Sequence, residues 1–272
     1  VLEFVRGKPI VAWAVLVSAV AWFVFRGVWR WGIDRPDIAV RYHAAQEWLA
    51  GRDPYAFADG YGLSPVSVHI DPPTTLLAFT PLTLLSWPDA RMVATLVSAA
   101  AAVVIAVGVL RLVEWPWRSP KALLLLAFLI AFGPAINTLA VGQTGLVATA
   151  AIIVAMLLER SGRRTASGAM FGLATVLKAT LGLPFIAYLL WRRRWSPAIA
   201  ALVVVSIPMI ISVAGMQVAG APWLETWQAN LQATSGPGGF NDPDPQNEAR
   251  LGLVNLHYPL ALLLPEGELA NV

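Results

Sequence analysis

Apolar stretches recur along the chain, at residues 9–28, 73–87, 91–112, 121–137, 143–159, 166–191, 196–218 and from 257 onward. Several approach or exceed the roughly 18–20 residues that a helix needs to cross a bilayer. The runs are continuous, so they predict helices and not the alternating segments of about 10 residues that build an outer-membrane barrel. The expected fold class is all-α, a polytopic transmembrane helical bundle forming one domain over 1–272. In the first run "AVA" at 19–21 mimics a signal-peptide cleavage site, but apolar character continues through Trp22 to Phe25, which predicts an uncleaved anchor. The last run reaches the end of the sequence, and a chain incomplete at its C-terminus is expected.

Two runs do not read as single crossings. Residues 73–87, "PTTLLAFTPLTLLSW", are short, preceded by Pro72, interrupted by Pro81 and closed by Pro88, which predicts a helix lying in or dipping into the interface. Residues 166–191 have arginines at both ends and contain Lys178, Gly182 and Pro184, which predicts two short helices folded as a hairpin with Lys178 near the turn. With these two readings every basic cluster (6–8, 111–121, 160–164, 192–194) falls on one side, in keeping with the positive-inside tendency. The polar islands then share the opposite, outer side: a first outer loop over 29–88, the "NTLAVGQTG" turn, Lys178 and a second outer loop over 219–256. Within the first loop, residues 38–50 predict a juxtamembrane helix closed by Gly51. In the second, "WLETWQANL" sets Trp223, Leu224, Trp227 and Leu231 on one helical face, and the Gly- and Pro-rich "SGPGGFNDPDPQNE" predicts a mobile loop.

Composition strengthens this picture. The chain is 57% hydrophobic and 13% charged, far from a soluble domain, and many of its 12 Trp sit beside arginines, as in "RGVWRWG", "EWPWR" and "WRRRW", in the manner of interfacial belts. The absence of cysteine excludes disulfides and thiolate sites. The three histidines have no metal-ligand spacing, and there is no Walker, Rossmann or nucleophile-elbow motif, so neither a metal nor a cofactor is expected. Nucleic acid is not an expected partner.

The outer side collects the groups able to do chemistry. Asp37 follows Pro36 at a helix start, where a carboxylate serves as a cap or, at a membrane-embedded mouth, as a general base. His69 and Asp71 in "HIDPPT" read either as helix initiation or as substrate contacts. Lys178 is a costly residue in apolar surroundings; it either snorkels to an interface or lines a cavity that binds an anion such as phosphate. Asn137 and Gln143 flank a turn between two runs.

Four stretches, in order, resemble the membrane-embedded GT-C glycosyltransferases, specifically glycosyltransferase family 87, the polyprenol-phosphate-mannose-dependent mannosyltransferases of actinobacterial envelopes. They are the Asp-led loop "PDIAVRYHAAQEWLAGRDPY", "DPPTTLLAFTPLTLL", the turn "GQTGL" and the hairpin "GLATVLKATLGLPF". The resemblance runs from about residue 30 to 200. It departs at Asp71, where the family has an aromatic before Pro-Pro, and at Gly145, where it has Asn. It implies a GT-C bundle in the plasma membrane, with its site at the extracytoplasmic face. A hexose, mannose first, would pass with inversion from a polyprenyl-phosphate sugar to a cell-envelope glycan or glycolipid acceptor. Asp37 would be the general base; Lys178, His257 and Arg41 would bind the donor phosphate; His69, Asp71, Tyr42, Gln143 and Asn255 would contact substrate. Two alternatives remain at this level: an arabinofuranosyltransferase using decaprenyl-phosphate arabinose, and a transporter of lipid or solute without chemistry.

Overall fold

The computed structural model describes residues 9–28, 36–56, 68–239 and 241–242. These residues form helices and connecting turns, with no strand among them. α1 (Pro9–Phe23) continues into a π-helical turn, Val24–Val28. α2 is Pro36–Leu49; α3, Thr74–Phe79, runs into a 3-10 turn, Thr80–Leu84. Then follow α4 (Trp87–Val113), α5 (Pro120–Ala131), α6 (Gly133–Val141) and α7 (Gly145–Arg160). The remainder are α8 (Arg164–Leu177), α9 (Ala179–Trp191), α10 (Trp195–Val218) and α11 (Trp223–Ser235).

Local sequence explains where these helices start and stop. The Ser86 side chain accepts from the Asp89 amide at the start of α4, and Ser119 does the same for Ala122 at the start of α5. Each is followed by a proline in the first turn, where its missing N–H costs nothing. Gly142 closes α6 with φ 79, and a Cβ there would sit 2.5 Å from Ile38, so glycine both permits the turn and lets α2 approach. The run 121–137 is not one straight helix, as its apolar continuity suggests. It breaks at Phe132 and bends by 41° into α6, because Pro134 cannot continue the hydrogen-bond ladder of α5.

Three helices, α1, α4 and α10, are long and apolar enough to cross a membrane, and the bent α5–α6 pair is a fourth candidate. Ile199, Val203, Ile207 and Ile210 of α10 face outward and exposed, as do Val103, Val104 and Val107 of α4. Apolar faces of this kind are at home in lipid, and the chain is an all-α helical membrane protein.

α8 and α9 fold back on each other at Lys178, whose φ of −154 and ψ of 92 interrupt the helix. The Phe171 and Phe185 rings stack 5.0 Å apart, whereas a straight helix would separate these residues by about 21 Å. α8 also packs closely on α10 through small residues. A Cβ on Gly168 would lie 2.0 Å from the Pro197 carbonyl oxygen, and one on Gly172 would lie 2.6 Å from that of Ala201. Because both obstacles are backbone, Gly168→Ala is expected to cost about 1–3 kcal/mol by overpacking. Thermal unfolding in detergent should show this as a lowered midpoint; an unchanged midpoint would mean that the two helices separate freely.

The two ends of the bundle differ in charge. Arg160 pairs with Glu114, and Arg194 pairs with Glu159, which ties the ends of α4 and α7 to the start of α10. Trp13 meets Trp117 edge-on at 6.4 Å, bringing the start of α1 to the same end. The basic clusters at 111–121, 160–164 and 192–194 therefore share one end, with Trp115, Trp117, Trp191 and Trp195 exposed around them. The cluster 6–8 lies outside the described residues.

Over the far end, α2, α3 and α11 form a cap on α10, with Val40, Ala44, Tyr55, Leu76 and Met216 buried at its centre. α2 does not lie bare on a surface: Ile38 through Tyr42, Ala44 and Ala45 are all buried, because the alanines admit neighbouring helices closely. The face expected for α11 also needs correction. Trp223 and Trp227 pack inward, but Leu224 is 45% exposed, and the inward stripe continues through Asn230 and Thr234 instead.

Candidate functional site

The break at Lys178 creates the site. Where α8 stops, the carbonyls of its last turn lose their helical partners. Thr144 Oγ1 donates to the Leu177 carbonyl at 2.7 Å, and Thr74 Oγ1 donates to that of Val176 at 3.4 Å. Two separate segments, "GQTGL" and "DPPTT", are thereby pinned to the hairpin tip. Neither threonine stands out in the sequence, since the carbonyls they bind become free only after the hairpin forms.

Gln143 then joins the two groups of greatest chemical interest. Its Oε1 lies 3.4 Å from Lys178 Nζ, and its side chain hydrogen-bonds the Asp37 carboxylate in the first turn of α2. Arg41, one turn further on, is buried; its Nη1 donates to the Asp37 backbone carbonyl at 2.8 Å, and its Nε pairs with Asp71 Oδ2 at 2.8 Å. The guanidinium also lies 6.0 Å from the centre of the Phe79 ring. Asp37, Arg41, His69, Asp71, Gln143 and Lys178 are thus brought together from four parts of the chain.

The two aspartates differ in state. Burial raises the Asp37 carboxyl above the ordinary aspartate value, against the opposing pull of Arg41, the Gln143 amide and Lys178. Burial would raise Asp71 as well, but Arg41 overcomes it and, with His69 and Lys178, holds Asp71 below the usual carboxylate range. Asp71 is therefore held as the anion that orients Arg41, whereas Asp37 takes up its proton at a higher pH than Asp71 does.

His69 is fully buried, stacked on Tyr55 at 4.9 Å, with Nδ1 3.9 Å from Asp71 Oδ2. Burial lowers its pKa to about 4, so the ring is neutral near pH 7. Tyr55 donates its hydroxyl to the Asp71 carbonyl at 3.1 Å. Tyr42 is turned elsewhere: its hydroxyl donates to the Leu85 carbonyl at 2.8 Å, and its ring packs on Trp87. Asn137 is exposed on α6. Asn255 and His257 lie outside the described residues. Among the described residues no three His, Asp or Glu side chains converge as a metal set would require.

α11 supplies positioning contacts that sequence reasoning did not assign, through Thr226, Trp227 and Asn230. The Asn230 amide donates to the carbonyls of Tyr55 and His69, Trp227 Nε1 donates to that of Ile70, and Thr226 Oγ1 donates to Asp53 Oδ2. α11 therefore clamps together the two loops that carry Tyr55 and Asp71. The recurrence of Trp223, Trp227 and Asn230 at helical spacing is the signal that could have revealed it.

Beside this polar group opens a largely apolar cleft of about 220 Å³, lined by Ile38, Phe79, Pro81, Val97 and Leu177, with Gln143 at its edge. Ala94 and Ser98 also line it, about 10–16 Å along α4 from Trp87, so the cleft lies well below the helix end. An apolar groove that shares Gln143 with a group of ionisable side chains fits an amphipathic substrate with an anionic head.

Residues 70–264 match the family described as glycosyltransferase family 87. Asp37 and Arg41 lie ahead of that stretch, while Asp71, Gln143 and Lys178 lie within it. Among curated proteins and among solved structures nothing matches. With the match spanning well over half of its residues, this membrane protein belongs to glycosyltransferase family 87 and is a glycosyltransferase.

Proposed function

We propose that the enzyme transfers a hexose, mannose first, from a polyprenyl-phosphate sugar to a glycan or glycolipid acceptor at the extracytoplasmic face of the plasma membrane. The observation that carries this reading is the bridge made by Gln143 between Asp37 and Lys178 at the edge of an apolar cleft. A base, a cation and a lipid-sized groove are the three things the reaction needs. The basic belt at the opposite end supports the outward orientation through the positive-inside tendency.

The acceptor hydroxyl attacks the anomeric carbon from the face opposite the phosphate, and its proton passes to the Asp37 carboxylate. The new carbon–oxygen bond forms as the bond to the phosphate oxygen breaks, and the electron pair leaves with the polyprenyl phosphate. A single displacement of this kind inverts the anomeric centre. The departing phosphate changes from a diester to a monoester and gains negative charge, which the Lys178 ammonium offsets most strongly where water is scarce. Arg41 is held by Asp71 and adds positive potential to the same region. The first isoprene units lie in the cleft between α3, α4 and α7, and Gln143 keeps base and cation in register.

Purified protein in lipid vesicles, offered mannose, glucose and arabinose as polyprenyl-phosphate donors and mannose as a nucleotide donor, tests the assignment against a membrane glycolipid extract. Transfer is expected from the mannose lipid and not from the nucleotide. Preference for the arabinose lipid would change the donor sugar. Transfer from the nucleotide alone, or uptake of a lipid donor with no transfer, would overturn the reading.

A further inference from the structure

A second cavity, of about 560 Å³, lies at the basic end of the bundle and plays no part in the reaction described above. It opens between α4, α7, α8, α9 and the start of α10. Leu112, Met156, Phe171, Pro184, Phe185 and Leu189 line it, with the stacked Phe171 and Phe185 rings forming one wall. Its size falls within the roughly 300–1,000 Å³ of sites that hold small organic ligands.

The charged lining residues are Glu159, Arg160 and Arg194. Arg160 donates to the Leu112 carbonyl at 2.7 Å and to Glu114, and Arg194 donates to Glu159. These contacts use only part of the five-donor fork of each guanidinium, and both arginine side chains are more than 40% exposed. The surrounding end is strongly positive: among the described residues, nine Lys and Arg at 111–121, 160–164 and 192–194 stand against Glu114 and Glu159. A ligand suited to this cavity has an apolar chain to fill it and an anionic head to meet the rim.

We infer that the cavity holds an acyl chain of an anionic phospholipid from the leaflet at the basic end, with the lipid phosphate among Arg160 and Arg194. Charge complementarity selects this occupant over a zwitterionic lipid, since basic pockets between transmembrane helices capture anionic head groups. The chain would wedge the α8–α9 hairpin from the side opposite Lys178 and brace the tip that carries the reaction.

Native mass spectrometry of the full chain, released from membranes and offered phosphatidylglycerol and phosphatidylcholine at equal concentration, reads the preference directly. Retention of phosphatidylglycerol is expected to exceed that of phosphatidylcholine by about fivefold for each arginine at the rim. Arg160→Gln combined with Arg194→Gln should bring the two lipids level, and Met156→Trp, which fills the cavity, should remove bound lipid of both kinds. A photoactivatable phosphatidylglycerol on the wild type supplies a measurement independent of variant folding, with crosslinks expected in peptides containing Met156, Phe185 and Tyr188. Equal retention of the two lipids, retention unchanged by Met156→Trp, or crosslinks confined to other helices would each overturn the inference. The last result would indicate that polypeptide fills the cavity.

Discussion

Asp37→Asn is expected to lower kcat by about 10²–10⁴-fold, the contribution typical of a positioned general base. The protein should fold normally, and the sign of its stability change can be stated. Burial raises the Asp37 pKa in the folded state, so the ionised form is disfavoured there relative to the unfolded chain. Such a group favours folding while protonated, below the unfolded value, and loses that benefit as pH rises through the folded value. Above that range the ionised form costs stability, and there the uncharged amide should leave the unfolding midpoint unchanged or raise it. Lost activity in a protein of equal or greater stability cannot then be blamed on unfolding.

The same shift sets the acid limb of the wild-type pH profile. The base must be deprotonated, so kcat/KM should fall as pH drops, with a midpoint above the ordinary aspartate value near 3.8. His69 is not expected to contribute a limb near neutrality, because its pKa is lowered to about 4 by burial. Transfer by Asp37→Asn within tenfold of wild type, or an acid limb that survives the substitution unchanged, would remove Asp37 from this role.

Much of this arrangement is legible in the sequence because single residues there carry large energetic penalties. Lys178 in an apolar run, followed by Gly182 and Pro184, cannot sit in an ordinary span, and it is the point at which α8 and α9 fold back. The prolines around 72–88 likewise exclude a crossing, and the structure has only the short α3 and a 3-10 turn there. Placing the two breaks correctly aligns the basic clusters, and the polar groups then meet at the other end.

What escapes the sequence depends on partners far away in the chain. The Asn230 amide reaches carbonyls 161 and 175 residues distant, and nothing in "ETWQANLQ" specifies such targets. Apolar continuity hides the bend at Phe132, although the Gly133–Pro134 pair is a helix-start signal. The pairing of Arg41 with Asp71 is non-local too, and with it the two buried aspartates come to differ in state.

Lys178→Met should produce the second large effect, a fall in kcat of about 10²–10³-fold, the range seen when one preorganised electrostatic partner of a transition state is removed. Because the phosphate gains charge only as its bond to the sugar breaks, the loss should appear in kcat more than in KM. A fall confined to binding would mean that Lys178 holds the donor equally in ground and transition states. The substitution has a second consequence that a merely structural lysine would not produce. The Lys178 charge is one of the influences that lower the Asp37 pKa, so its removal should move the acid limb of the pH profile to higher pH. Lys178→Arg, which keeps the charge, should leave that limb near its wild-type position even if geometry costs it rate. If Lys178 only snorkels toward an interface, Lys178→Met will leave both kcat and the acid limb where they are. The Gln143 contact would then be a fold-holding hydrogen bond, and stabilisation of the leaving phosphate would have to be sought at Arg41.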